Sequence, residues 1–168
     1  MIDLKEIKNK IKKKENIYYL LIIVVIFLLD RLSKVNIINN FIEQSYYIND
    51  FINLDLVWNT GIGFGLFSSS SDILYNFITI LILVVVLTLF YLILFSNRIE
   101  KIIYSFIAGG ALGNFYDRIF YKAVPDFIDL HYNNFHWFTF NVADIFITIG
   151  LITLIVCGSS KVKKNEKI

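Results

Sequence analysis

Residues 73–95 run for 23 positions without a charge. At 1.5 Å per residue, a helix of that length crosses a bilayer core of roughly 30 Å. A soluble fold of 168 residues would have to bury such a helix on every side. The rest of the chain offers little polar material for that purpose, since 57% of it is hydrophobic. Three weaker apolar runs accompany the first, at residues 17–37, 102–121 and 140–157, and each carries acids or bases near one end only. The Lys-rich termini and the segment SNRIEK (96–101) read as cytoplasmic flanks, because cytoplasmic loops favour Lys and Arg.

The expected fold is an all-α membrane protein with four transmembrane helices and a small extracytoplasmic β element. A single membrane domain, 1–168, divides into a basic cytoplasmic tail (1–16), a first span (17–37), an outer segment (38–72), a second span (73–95), a cytoplasmic loop (96–101), a third span (102–121), an outer loop (122–139), a fourth span (140–157) and a cytoplasmic tail (158–168). A cleaved signal peptide is the rival reading of the start. No small-residue cleavage site follows the run; DRLSK does, so the run is read as a permanent helix. The net charge is only +2 and the basic residues cluster beside apolar runs, which argues for membrane flanks and against a nucleic-acid partner. The lone Cys157 allows no internal disulfide.

Threaded through that topology, the polar residues converge. The first span ends outside at Asp30 and Lys34, and the third at Asn114, Asp117 and Arg118. The fourth begins outside at Asn141 and Asp144, and Asp126 lies in the outer connection before it. Ionisable groups within spans usually face a bundle interior and mark function. In the outer segment, INLDLVWN alternates Ile52, Leu54, Leu56 and Trp58 against Asn53, Asp55 and Asn59, a period of two that predicts a strand. Gly61, Gly63 and Gly65 follow at strand spacing and permit close approach of another backbone. An extended substrate could add to this edge, with Asn59 touching its backbone; a passive outer loop is the alternative.

Gly109 and Gly113 form a G-x-x-x-G pattern suited to tight helix packing. Gly110, Asn114 and Asp117 share one helical face. Asp30 and Lys34 stand at i, i+4 in the favourable order for a helical ion pair. Asn141 or Thr139 suits the cap of the fourth helix. His131 and His136, five apart with no Cys partner, make a poor metal pair and are expected to be exposed or interfacial. No G-x-S-x-G motif is present, and Cys157 lies far along the chain from the acids. What remains is a set of carboxylates. Two of them at a half-wet boundary can share one proton, which suits attack of water on an amide. A proton- or ion-coupled transporter could use the same pair, and a polar cluster locking a non-catalytic scaffold is a third reading.

Five motifs in order over about residues 20–157 carry a resemblance: DRLSK, NTGIGFG, GGALGNFYDRI, VPDFIDLH and FNVAD. Together they resemble lipoprotein signal peptidase (signal peptidase II), a family of aspartic peptidases of bacterial inner membranes. The resemblance implies four transmembrane helices, a periplasmic β-cradle and an amphipathic periplasmic segment. It implies Asp126 and Asp144 as the catalytic pair, supported by Asp30, Lys34, Asn59, Gly61, Asn114, Asp117, Arg118 and Asn141. It also implies a prolipoprotein substrate cut just before a diacylglyceryl-modified cysteine, a surrounding of membrane lipid, sensitivity to globomycin-type inhibitors, and no metal or organic cofactor. The chain departs from the usual pattern at Ile62-Gly63 (Ala-Ala), Pro125 (Val), Phe138 (Pro) and Arg31 (Gln).

Overall fold

The computed structural model describes residues 4–41, 45–61 and 72–165. In chain order these form helices α1 (Leu4–Ile11) and α2 (Asn16–Asn40), strands β1 (Tyr46–Asn49) and β2 (Ile52–Asn59), helices α3 (Asp72–Phe95) and α4 (Arg98–Tyr121), strands β3 (Val124–Tyr132) and β4 (Phe135–Phe140), and helix α5 (Val142–Asn165). The four strands make one antiparallel sheet in the order β1-β2-β3-β4. The strands join the helices at one common end, so the sheet caps that end, while the start of α2 and the end of α5 lie at the other.

This corrects the all-α expectation of four transmembrane helices. The expected outer loop, 122–139, instead holds most of a β-hairpin over residues 124–140 that completes a four-stranded sheet. Among the described residues, only Asp72–Phe95 is long and apolar enough to cross a membrane, with Val142–Gly158 a shorter apolar helix. The physical reason is clearest in α4. Its 24 residues include Arg98, Glu100, Lys101, Asp117 and Arg118, and it buries five of its Gly and Ala residues together with Lys101, Ser105, Asp117 and Arg118. It is a helix whose surroundings are largely protein. The expected loop at 96–101 shrinks to Ser96 and Asn97. Asn97 caps α4 by accepting from the N–H groups of Ile99 and Glu100, both at 3.1 Å.

Helix α4 is the hub. Tyr19 and Ile23 of α2, Val86, Leu89 and Ile93 of α3, and Ile103, Ile107, Ala108 and Ala111 of α4 form the apolar core. Toward the sheet, glycines replace this core. A Cβ on Gly113 would collide with Asp30 Oδ2, and one on Gly110 would lie 2.5 Å from the Ala143 carbonyl oxygen. The G-x-x-x-G pair therefore faces α2, and Gly110 lets α5 approach α4. At the far end, Lys101 reaches Glu15 at 3.3 Å, and Lys10 lies 3.9 Å from the centre of the Phe95 ring.

Two of the three irregularities of register in the sheet turn polar side chains from one face to the other. Strand β2 pairs Leu54 with Ile128 but Val57 with Asp126, so it holds one extra residue there. Such a bulge reverses the faces of the residues beyond it. The sequence alternation puts Asn59 with Asn53 and Asp55; the bulge moves it to the face of Leu54 and Asp126, where it is buried, and leaves Trp58 exposed. The second irregularity, in β4, is taken up below.

Candidate active site

Helix α5 starts with a reciprocal cap. The Asn141 side-chain oxygen accepts from the Asp144 N–H at 3.1 Å, and the Asp144 carboxylate accepts from the Asn141 N–H at 3.2 Å. Asn141 therefore fills the capping role, and Thr139, the other candidate, lies in β4. The next free donor of this helix end, the Ala143 N–H, goes to Asp30 Oδ1 at 2.9 Å. One residue of α2 thus fixes the start of α5.

Lys34 sits fully buried between α2 and α4. Its ammonium reaches Asp30 Oδ2 at 2.7 Å, Asp117 Oδ2 at 2.7 Å and Asn114 Oδ1 at 2.8 Å. An ammonium only donates, so these contacts fix which end of the Asn114 amide faces it. The Asn114 NH₂ is thereby aimed at Asp144, which accepts from it at 2.9 Å. Asn141 and Asn59 follow the same logic. The Asp144 N–H holds the Asn141 carbonyl, and the Gly61 N–H holds the Asn59 carbonyl at 2.8 Å. Their NH₂ groups then point at Asp126, at 2.6 Å from Asn141 to Oδ1 and 2.9 Å from Asn59 to Oδ2.

Three asparagines, each anchored by a group that can only donate, thus present amide donors to two carboxylates. Every oxygen of Asp126 and Asp144 accepts a bond, and Asn141 touches both residues. Asp126 comes from β3 and Asp144 from α5, so the seam between sheet and helices joins them. Burial pushes the Asp126 carboxyl up to about 7, and the charge of Asp144 adds to this, while the amides of Asn59 and Asn141 pull the other way. At neutral pH Asp126 therefore holds a proton for a large part of the time, beside a second carboxylate.

The structure brings together nearly all the residues selected from sequence. Asp30, Lys34, Asn114 and Asp117 form one network, and Asn59, Asn141, Asp126 and Asp144 form the next. Asp117 and Arg118 diverge as their adjacency required: Asp117 faces Lys34, while Arg118 donates to the Gly61 carbonyl. Gly61 is thus held from both sides. Gly63 and Gly65 lie outside the described residues. Asn59, expected to touch substrate, donates to Asp126 and accepts from the Gly61 N–H, which suits it to orient that carboxylate.

The placement of three groups escaped the sequence reading. Arg31 donates to Asp117 and lies 4.7 Å from the Tyr116 ring centre, giving that acid a second cation. Its place one residue after Asp30 was the available signal. The Tyr75 hydroxyl donates to the Arg118 carbonyl at 2.7 Å, from a helix chosen only for its lack of charge. His131, expected exposed or interfacial, is buried at 5% exposure, and His136 is exposed.

Residues 22–159 match the family model described as signal peptidase (SPase) II. A lipoprotein signal peptidase of Pelagibacter ubique (strain HTCC1062) is 50% identical over 164 residues, covering 95% of this chain and 99% of the relative. One from Francisella tularensis subsp. novicida (strain U112) is 42% identical, covering 76% of this chain and 83% of the relative. A bacterial membrane enzyme solved by the in meso method at 2.3 Å resolution aligns with a TM-score of 0.76 at 28% identity, covering 88% of this chain and 90% of that one. These matches define a bacterial membrane-bound peptidase. The chain belongs to the signal peptidase II family.

Proposed function

We propose that this peptidase removes the signal peptide of prolipoproteins by cutting just before a diacylglyceryl-modified cysteine, with Asp126 and Asp144 as its catalytic pair. The observation that carries the reading is Asn141. Its side chain donates to Asp126 and its backbone N–H to Asp144, so one residue sets both carboxylates at the sheet–helix seam. Asp144, which accepts from the Asn114 amide and the Asn141 N–H, takes a proton from water. That water attacks the scissile carbonyl carbon. Asp126, holding its proton, donates to the carbonyl oxygen as charge develops there. Collapse of the tetrahedral intermediate breaks the C–N bond, and the proton from water passes to the leaving amine. Membrane lipid is the surrounding, and globomycin-type inhibitors compete for the same cleft. The test is incubation of the purified protein with a diacylglyceryl-modified prolipoprotein, read by mass spectrometry. A new amino terminus at the lipidated cysteine is expected; an uncut substrate would overturn the proposal.

A transporter using the same acids is disfavoured by the placement of the charges. Among the described residues the buried acids gather at the sheet end, and the apolar core, with no buried acid in it, lies between them and the far end.

Asn59→Ala removes one donor to Asp126 and the anchor of Gly61. A hydrogen bond to a charged group contributes about 1.5–3 kcal/mol, so kcat should fall roughly 10- to 100-fold with the unfolding midpoint little changed. Unchanged turnover would leave β2 without a part in the reaction.

We further infer that the sheet end faces outward from the cytoplasmic membrane and that both chain termini face the cytoplasm, where the Lys-rich segments lie. In a Cys157→Ala background, Asp50→Cys should react with an impermeant maleimide on intact cells and Ser96→Cys should not. The reverse pattern would invert the orientation.

A further inference from the structure

The register shift in β4 has no part in the site above, yet it places a second cluster of polar groups. Asp129 pairs with Thr139 and Leu130 with Phe138, so unbroken pairing would set Trp137 opposite His131. Instead the ladder skips a residue and His131 pairs with His136. Asp129 and His131 are two apart on β3 and share a face; Asp126, three residues before Asp129, lies on the opposite one. The bulge therefore brings His136 onto the face of Asp129 and His131, away from the catalytic pair.

The three side chains offer donor atoms that all lie within 4.8 Å of one another. Asp129 Oδ2 is 2.8 Å from His136 Nδ1 and 3.5 Å from His131 Nδ1. The imidazole rings stack with centroids 5.3 Å apart. His131 is nine-tenths buried, and its Nδ1 makes no hydrogen bond among the described residues. A buried polar nitrogen without a partner is costly and points to a missing one. Asn53 stands opposite Asp129 in register on β2, and its side-chain oxygen is also buried without a hydrogen bond among the described residues.

We propose that Asp129, His131 and His136 form a binding site for a divalent transition-metal ion of the zinc type. Ligands about 2.0–2.2 Å from a tetrahedral ion lie roughly 3.3 Å from each other. The two distances from Asp129 bracket that value and the imidazole nitrogens lie within 4.8 Å of each other, so side-chain shifts of no more than about 1.5 Å close the set around an ion. Two imidazoles and one carboxylate select zinc, nickel or copper over calcium or magnesium, which prefer all-oxygen sets. Three protein ligands leave a fourth position for water or for the Asn53 oxygen. His136 is exposed, which gives the ion a path in. The ion would clamp β3 to β4 next to the turn at Asn133, whose φ of 52° is left-handed.

The experiment uses tag-free purified protein in detergent, with Zn²⁺ measured by equilibrium dialysis and Co²⁺ by its visible absorption. One Zn²⁺ per chain is expected. Asp126→Asn/Asp144→Asn should bind it unchanged. His136→Ala should weaken it by at least about 100-fold, since even outer partners of metal ligands contribute up to that much. Prolipoprotein cleavage by His136→Ala would show that the variant is folded. His136→Cys should add a thiolate-to-cobalt charge-transfer band. No binding of Zn²⁺ at about 100 μM, or binding that survives His136→Ala and disappears in the double aspartate variant, would overturn the proposal.

Discussion

Asp126→Asn and Asp144→Asn each should bring cleavage of a diacylglyceryl-modified prolipoprotein below roughly 10⁻⁴ of the wild-type rate, and the double substitution should be little worse. In the proposed mechanism the two carboxylates act as one unit, so removing either leaves nothing for the other to do. Each change preserves the shape of the side chain and replaces one acceptor oxygen by a donor. For Asp126 that donor would face the NH₂ of Asn59 or of Asn141, and neither amide is free to turn, because the Gly61 and Asp144 N–H groups fix them. The same pair sets the pH dependence. Burial raises Asp126 to about 7, against an ordinary carboxylate range near 4, and in the proposed mechanism its protonated form is the one that donates to the carbonyl. Activity is therefore present below about pH 7 and is lost as the pH rises through that value. A rate that keeps rising to about pH 9 would remove Asp126 from the role of acid. Near-normal cleavage by Asp126→Asn would remove it from the pair altogether, and a folded but inactive Asp117→Asn would then put Asp117 beside Asp144.

The selection of residues was legible because each polar group stood out against an apolar run, and an unexplained acid beside such a run needs a partner. The partners themselves were not legible. Lys34 meets Asp30 four residues away, which spacing predicts, but it meets Asn114 and Asp117 from a helix some 80 positions on. That convergence depends on how close α2 and α4 come, and the closeness depends on Gly109 and Gly113 having no side chain. Sequence pattern suggested the contact and could not show its occupants.

The sheet was half legible. β2 alternates and was read as a strand over the residues it occupies. β3 does not alternate, because both its faces carry chemistry: Asp126 points to the helices and Asp129 with His131 to the other side, so polar and apolar residues mix on each. β4, FHWFTF, is nearly all aromatic and looked like an interfacial loop. The two bulges were invisible for a different reason. A bulge is a mismatch between two strands, and neither strand's sequence contains it. Yet one turns Asn59 toward Asp126 and the other puts His136 opposite His131, so the parts of the fold least readable from sequence aim the side chains that matter most.

Lys34→Ala should prevent most of the protein from accumulating in folded form. Lys34 is fully buried, as are both of its acidic partners, Asp30 and Asp117. Removing the cation leaves Asp30 with no cation within ion-pair distance among the described residues and leaves Asp117 to Arg31 alone. Breaking a buried pair in this way costs roughly 3–5 kcal/mol, a large part of the whole stability of a domain this size. Arg31→Ala should cost much less, because Lys34 still serves Asp117 and the arginine is partly open to its surroundings. Lys34→Met, which restores volume without charge, should be nearly as damaging as the alanine, and that separates a charge effect from a cavity. The fraction that does fold should also turn over slowly. Without the ammonium nothing holds the Asn114 amide one way round, and Asp144 loses a fixed donor even though it never touches Lys34. The measurement is the thermal midpoint of the purified variants in detergent together with their rate of cleavage. A Lys34→Ala protein with the wild-type midpoint and no activity would mean that the lysine takes part in the reaction directly, and the positioning role would fall.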